Sequence, residues 1–175
     1  RALLALSVVF IMLATTGWTA VRPHGSGDPR VAALSAWMHG TVGTRKLPDP
    51  KSGPGTIARF FTSLTTGQRL RLADRYPLVV GNLNGAPLTL RYRANRDALI
   101  AARTADVARS TSDLLTSSGR KDADRRAHRY TSLLSNHRQI LAFDPTGEGR
   151  AAEVFGDLDT ATRVSVVVPG VDTNV

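Results

Sequence analysis

Three groups of residues have types and spacings that chemistry could use. Gly147, Gly149 and Ala152 fit G-x-G-x-x-A, which cradles a dinucleotide only when a strand precedes it and a helix comes after it. The apolar pair Val154 and Phe155, closed by Gly156, points to a strand there instead, so the glycines read as a hairpin turn. His24, His39, His128 and His137 show no metal-ligand spacing and sit in polar or arginine-rich surroundings, where a histidine is ordinarily a surface residue. In the segment Val164–Thr173, VSVVVPGVDT, a β-branched run ends on Pro169 and Gly170. A buried strand that stops on glycine can turn backbone N–H groups toward an oxyanion.

Other chemistries are absent from the composition. With no cysteine in 175 residues there is no disulfide framework, thiolate metal site or cysteine nucleophile. No cofactor and no metal are expected. A Walker pattern is missing, and so is the G-x-S-x-G elbow of serine hydrolases. The net charge of +9 rests on 20 arginines against 3 lysines, alongside 22 alanines, which reads first as the imprint of a GC-rich genome and only second as an anionic partner. Arg125, Arg126 and Arg129, around His128 and Tyr130, lack the interleaved aromatics of a nucleic-acid surface, so no nucleic acid is expected. The charge is nevertheless uneven. Residues 45–138 carry a net +11 and residues 139–175 a net −4, so two physically different segments meet near residue 138.

Elements to position these groups can be read along the chain. Ala2 to Val21 holds twenty residues without a charge, enough for a helix of about 30 Å. Small residues are poorly placed for signal cleavage, which favours an uncleaved anchor over a signal peptide, with Trp18 near the interface and Arg22 snorkelling beyond it. The expected placement is the cell membrane, with the main body extracytoplasmic. Residues 22–30 read as a Pro/Gly linker. Residues 31–137 read as mainly helical, with helices at Val31–His39, Thr56–Ser63 and Gln68–Arg75, the last capped by Thr65. Pro77 forces an exit near Tyr76 into an ordered loop, Pro77–Pro87, with an Asn84–Gly85 turn. A long helix from Leu88 to Leu115 is closed by Gly119, and another runs from Asp122 to Ser135. Gln139–Phe143 and Arg150–Phe155 form a hairpin, and Arg163–Val168 a strand buried on both faces. Both chain ends read as cut.

Taken together, the segment Tyr76 to Arg96, LAFDP at 141–145, EVFGDL at 153–158 and VVVPGVDT at 166–173 resemble an actinobacterial α/β-hydrolase family of undefined function. The resemblance implies an α/β fold in which the membrane helix (1–21), linker and helical region precede a truncated α/β-hydrolase domain at 138–175. It makes the hairpin and the valine run the first strands of an incomplete sheet, and Gly170, Val171 and Asp172 the oxyanion loop. The catalytic triad would lie outside these residues. The implied function is the amino-terminal part of a membrane-anchored serine-type hydrolase acting on ester, amide or similar acyl bonds, inactive in this form. The alternative is a non-catalytic cell-surface module whose arginine-rich helices bind an anionic polymer or lipid headgroups. Exposed edges of the unfinished sheet would make the isolated piece aggregate.

Overall fold

The computed structural model describes residues 27–168. The apolar run at 2–21 lies outside them, and no helix among the described residues is long and apolar enough to cross a membrane. Helix α1 (Pro29–Met38) starts on Asp28, whose carboxylate accepts the Arg30 amide at 2.8 Å, with proline at the first helical position. A small hairpin comes next, in which β1 (Thr41–Val42) and β2 (Arg45–Lys46) are joined by Gly43 and Thr44. This hairpin is not foreseen in the sequence, because each strand is only two residues long and neither alternates detectably. Its loop depends on Gly43, which takes φ +60°.

Helices α2 (Pro54–Thr62) and α3 (Thr66–Arg75) match expectation. At the start of α3 the Thr65 hydroxyl accepts the Gln68 amide while the Gln68 side chain accepts the Thr65 amide, a reciprocal capping box. The chain does break at Tyr76, but Pro77 begins a one-turn helix, α4 (Pro77–Val80), rather than the expected loop. Proline lacks only an N–H that the first helical turn has no use for, so it can start a helix as readily as end one. Helix α5 (Leu88–Ser110) ends earlier than expected, and Gly119 does not close it. Thr116 instead caps helix α6 (Ser117–Leu134), its hydroxyl accepting the Gly119 amide at 3.1 Å. Gly119 thus lies in the first turn of the next helix.

Two apolar clusters share α5. Leu90 and Ala94 on its first half close a core built on Trp37, Ile57, Phe61, Leu72, Tyr76 and Val80. Trp37 is fully buried, donates its indole N–H to the Pro48 carbonyl at 2.7 Å and meets Tyr76 edge-on. Ala98 and Leu99 at the middle of α5 join Tyr130, Ile140 and Phe143. Helices α5 and α6 are tied by a buried ion pair: Asp106, 4% exposed, accepts both Nε and Nη2 of Arg126 at 3.0 Å. That double hydrogen bond raises the affinity of the Arg126 guanidinium for its proton.

The expected hairpin is present. Strand β3 (Gln139–Asp144) pairs antiparallel with β4 (Arg150–Val154). Ile140 and Phe143 are both buried although three apart, which a regular strand forbids, and the register irregularity between Ile140 and Ala142 turns both inward. Arg163–Val168 is a correction. It forms no strand, and Val164, Val166, Val167 and Val168 are exposed, Val167 by 87%. Of the three strands expected after residue 138, two form and pair only with each other among the described residues.

Candidate functional site

The segment Pro77–Arg96 is dense in Asn, Gly, Pro and Arg, and the structure shows what that density does. The Asn82 side chain donates from Nδ2 to the Phe143 carbonyl at 2.9 Å and accepts the Phe143 amide on Oδ1 at 3.1 Å. Asn95, fully buried on α5, donates to the carbonyls of Gly81 at 3.0 Å and Ile140 at 2.9 Å. Arg91 donates from Nε to the Gly81 carbonyl and from Nη2 to the Leu141 carbonyl, at 3.1 and 3.0 Å. Three side chains from one helical corner thus clasp β3 by the backbone groups of Ile140, Leu141 and Phe143. Burial lowers the Arg91 pKa, with Tyr92 opposing that effect.

Gly81 is obligatory in this clasp for room, not for conformation. A Cβ there would stand 2.1 Å from Asn95 Oδ1 and 3.0 Å from the Pro77 carbonyl oxygen. Helix α4 therefore touches α5 closely enough for two side chains of α5 to reach the Gly81 carbonyl.

The far end of β3 is fixed by Asp144. Its carboxylate accepts the amide and hydroxyl of Thr146, Arg150 Nη2 at 2.9 Å and Arg30 Nη1, from the start of α1, at 3.0 Å. Partial burial works against the charged carboxylate, but the hydrogen bonds from Thr146 and Arg150 and the nearby Arg30 outweigh it and hold the pKa at about 2.

Gly147 and Gly149 lie in the β3–β4 turn with φ +59° and +81°, and Ala152 lies within β4, so the turn leads into a strand rather than a helix and the dinucleotide pattern has no binding geometry. His39 caps the end of α1 through the Ser35 carbonyl, His128 faces solvent on α6, and His137 is exposed beside β3. His24 lies outside the described residues. No group of three or more His, Cys, Asp or Glu among the described residues is placed to hold a metal. Arg125 pairs with Asp122, Arg126 with Asp106, and Arg129 donates to the Glu148 carbonyl at 2.7 Å, so these cations are engaged within the molecule. The oxyanion-loop residues Gly170, Val171 and Asp172 lie outside the described residues. What the described residues assemble is a scaffold that orients the 139–154 hairpin.

Similarity to a known family begins at the last residue of β3 and runs to the end of the chain. Residues 144–175 match the alpha/beta hydrolase family. The chain is also similar to two uncharacterized proteins of Mycobacterium tuberculosis, from strain CDC 1551 / Oshkosh and from strain ATCC 25618 / H37Rv. Each is 32% identical over 160 residues, covering 74% of this chain and 24% of the relative. The chain thus spans about a quarter of the length of the curated relatives it matches. No solved structure matches. These matches show the resemblance to an actinobacterial α/β-hydrolase family of undefined function that the sequence motifs carry.

Asn82, Arg91, Asn95 and Asp106 hold the fold together through contacts that the sequence does not reveal singly. A polar residue in an otherwise apolar helical stripe, as Asn95 is between Ala94 and Ala98, is the signal that could have marked the clasp.

Proposed function

We propose that this chain is the amino-terminal part of a serine-type α/β-hydrolase acting on ester, amide or similar acyl bonds. The observation that carries the reading is the family match beginning at Asp144, on a hairpin held by the clasp. In this reading the 138–175 segment opens the hydrolase sheet. Gly170, Val171 and Asp172 supply backbone donors to a tetrahedral oxyanion, and the nucleophile elbow, acid and histidine belong to sequence beyond these 175 residues. The exposed valines of 164–168 are apolar surface that such a sheet would cover. Anchoring through residues 2–21, with the body outside the cytoplasm, is part of the same proposal.

The test is labelling by a fluorophosphonate, which reacts with activated serines. The protein at its full natural length is expected to be labelled, and residues 1–175, lacking G-x-S-x-G, are not. A full-length protein that resists the probe and turns over no activated ester contradicts the reading.

The second reading, an anionic-surface module, draws on Arg45, Lys46, Lys51, Arg59, Arg71 and Arg75, which lie on β2, α2, α3 and their connections. Binding of the chain to anionic vesicles that fades as salt rises supports it, and binding indifferent to salt removes it.

A further inference from the structure

A groove of about 510 Å³ opens where α6 passes into β3, and its lining includes Ser132, Asn136, Arg138, Gln139, Glu153 and Phe155. Its volume suits a small ligand. Arg138 donates Nε to Glu153 Oε1 at 2.7 Å and Nη2 to Oε2, and the two side chains are largely buried. The pair therefore brings donors and acceptors to the groove without a net charge.

Two features are not explained by the scaffold. First, among the described residues every positive φ falls on glycine except at Asn136 and His137, which are consecutive, stand at +52° and +53°, and both line this groove. Glycine would make that corner without strain, as it does at Gly43, Gly85, Gly147, Gly149 and Gly156. Asn and His enter this backbone region more readily than most residues, and at this corner they give the groove two polar side chains that glycines would not. Second, Phe155, directly after β4, is 88% exposed among the groove's lining residues.

We propose that this groove binds a pyranose. A sugar ring offers an apolar C–H face and a rim of hydroxyls that both donate and accept. An open aromatic ring answers the first; the Asn136 and Gln139 amides, the Ser132 hydroxyl and the neutralised Arg138–Glu153 pair answer the second. The same lining disfavours other ligands. The Arg138 charge is already neutralised by Glu153, so the pair adds no net positive charge to draw a phosphate or carboxylate. A single exposed ring gives a nucleobase nothing on its second face. The groove shares Glu153 and Phe155 with the segment that matches the hydrolase family, but its test reads sugar binding and not serine reactivity, so the two proposals fail separately.

Saturation-transfer NMR on the full chain in phosphatidylcholine nanodiscs, with methyl pyranosides of glucose, galactose, mannose and N-acetylglucosamine at about 10 mM, tests it. The expected result is transfer to the ring C–H protons of at least one of these sugars. Phe155→Ala is expected to weaken that binding about tenfold and Phe155→Trp to retain it, with the unfolding midpoint unchanged because the ring is exposed. No transfer from any of the four sugars, equal transfer in Phe155→Ala, or transfer to adenosine in their place would overturn the proposal.

Discussion

Asn82 holds Phe143 as a neighbouring strand would: its side-chain amide takes both the N–H and the carbonyl of one residue, 61 positions away in the chain. The hydrogen-bonding edge of β3 opposite β4 is closed at that point by a side chain, and at Ile140 and Leu141 by Asn95 and Arg91. An unprotected strand edge invites pairing with another chain, so the clasp both fixes the hairpin and blunts one of its edges.

Replacing Asn82 with alanine should leave both Phe143 backbone groups unpaired and destabilise the chain by about 1–3 kcal/mol. Equilibrium denaturation measures this. An effect as small as that of an exposed-site alanine would mean that water replaces the amide without loss.

The Asp106–Arg126 pair lends itself to a double-mutant cycle. Arg126→Met leaves a 4%-exposed carboxylate with only the longer contact to Arg109, at 3.4 Å, and should cost about 3 kcal/mol. Combining it with Asp106→Leu should recover most of that loss, because two apolar side chains of similar size need no desolvated charge. Losses that simply add would show that the two residues act separately.

The Asp144 carboxylate sets a pH dependence. Its folded pKa of about 2 lies below the ordinary value near 3.9, so its contribution is complete above pH 4 and is lost as pH falls toward 2. Asp144→Asn should therefore destabilise the chain at pH 7 by on the order of 1–2 kcal/mol, with the difference from the parent shrinking between pH 4 and pH 2. Denaturation curves of the two proteins across that range check the sign. A gap that widens in acid would mean that another group governs.

Much of the architecture was legible because it depends on local chemistry. Thr65 and Gln68 announce the start of α3, and the Gly147–Gly149 turn joins two short apolar runs, whereas Pro77, which reads as the entry to a loop, starts a helical turn. What was not legible depends on contacts far apart in sequence. Ser110 ends α5 with no Gly or Pro signal, and only the cap at Thr116 shows where the next helix begins. The valine run at 164–168 has strong strand propensity, but a strand needs a partner edge, and none of the described residues supplies one. The roles of Asn82, within the expected loop, and Asn95, within the expected helix, depend on partners 61 and 45 positions downstream. The oxyanion-loop expectation at Gly170–Asp172 falls outside the described residues.

The central claim is that the helices and the 139–154 hairpin form one cooperative unit through the clasp. Native-state hydrogen exchange at the Phe143 amide, compared with that at Leu99 in the middle of α5, tests it most directly. Equal opening free energies for the two amides in the parent chain, with both falling in Asn82→Ala and Phe143 falling further because its own acceptor is lost, are the predicted result. A Phe143 amide that already exchanges freely in the parent while Leu99 stays protected would contradict the account.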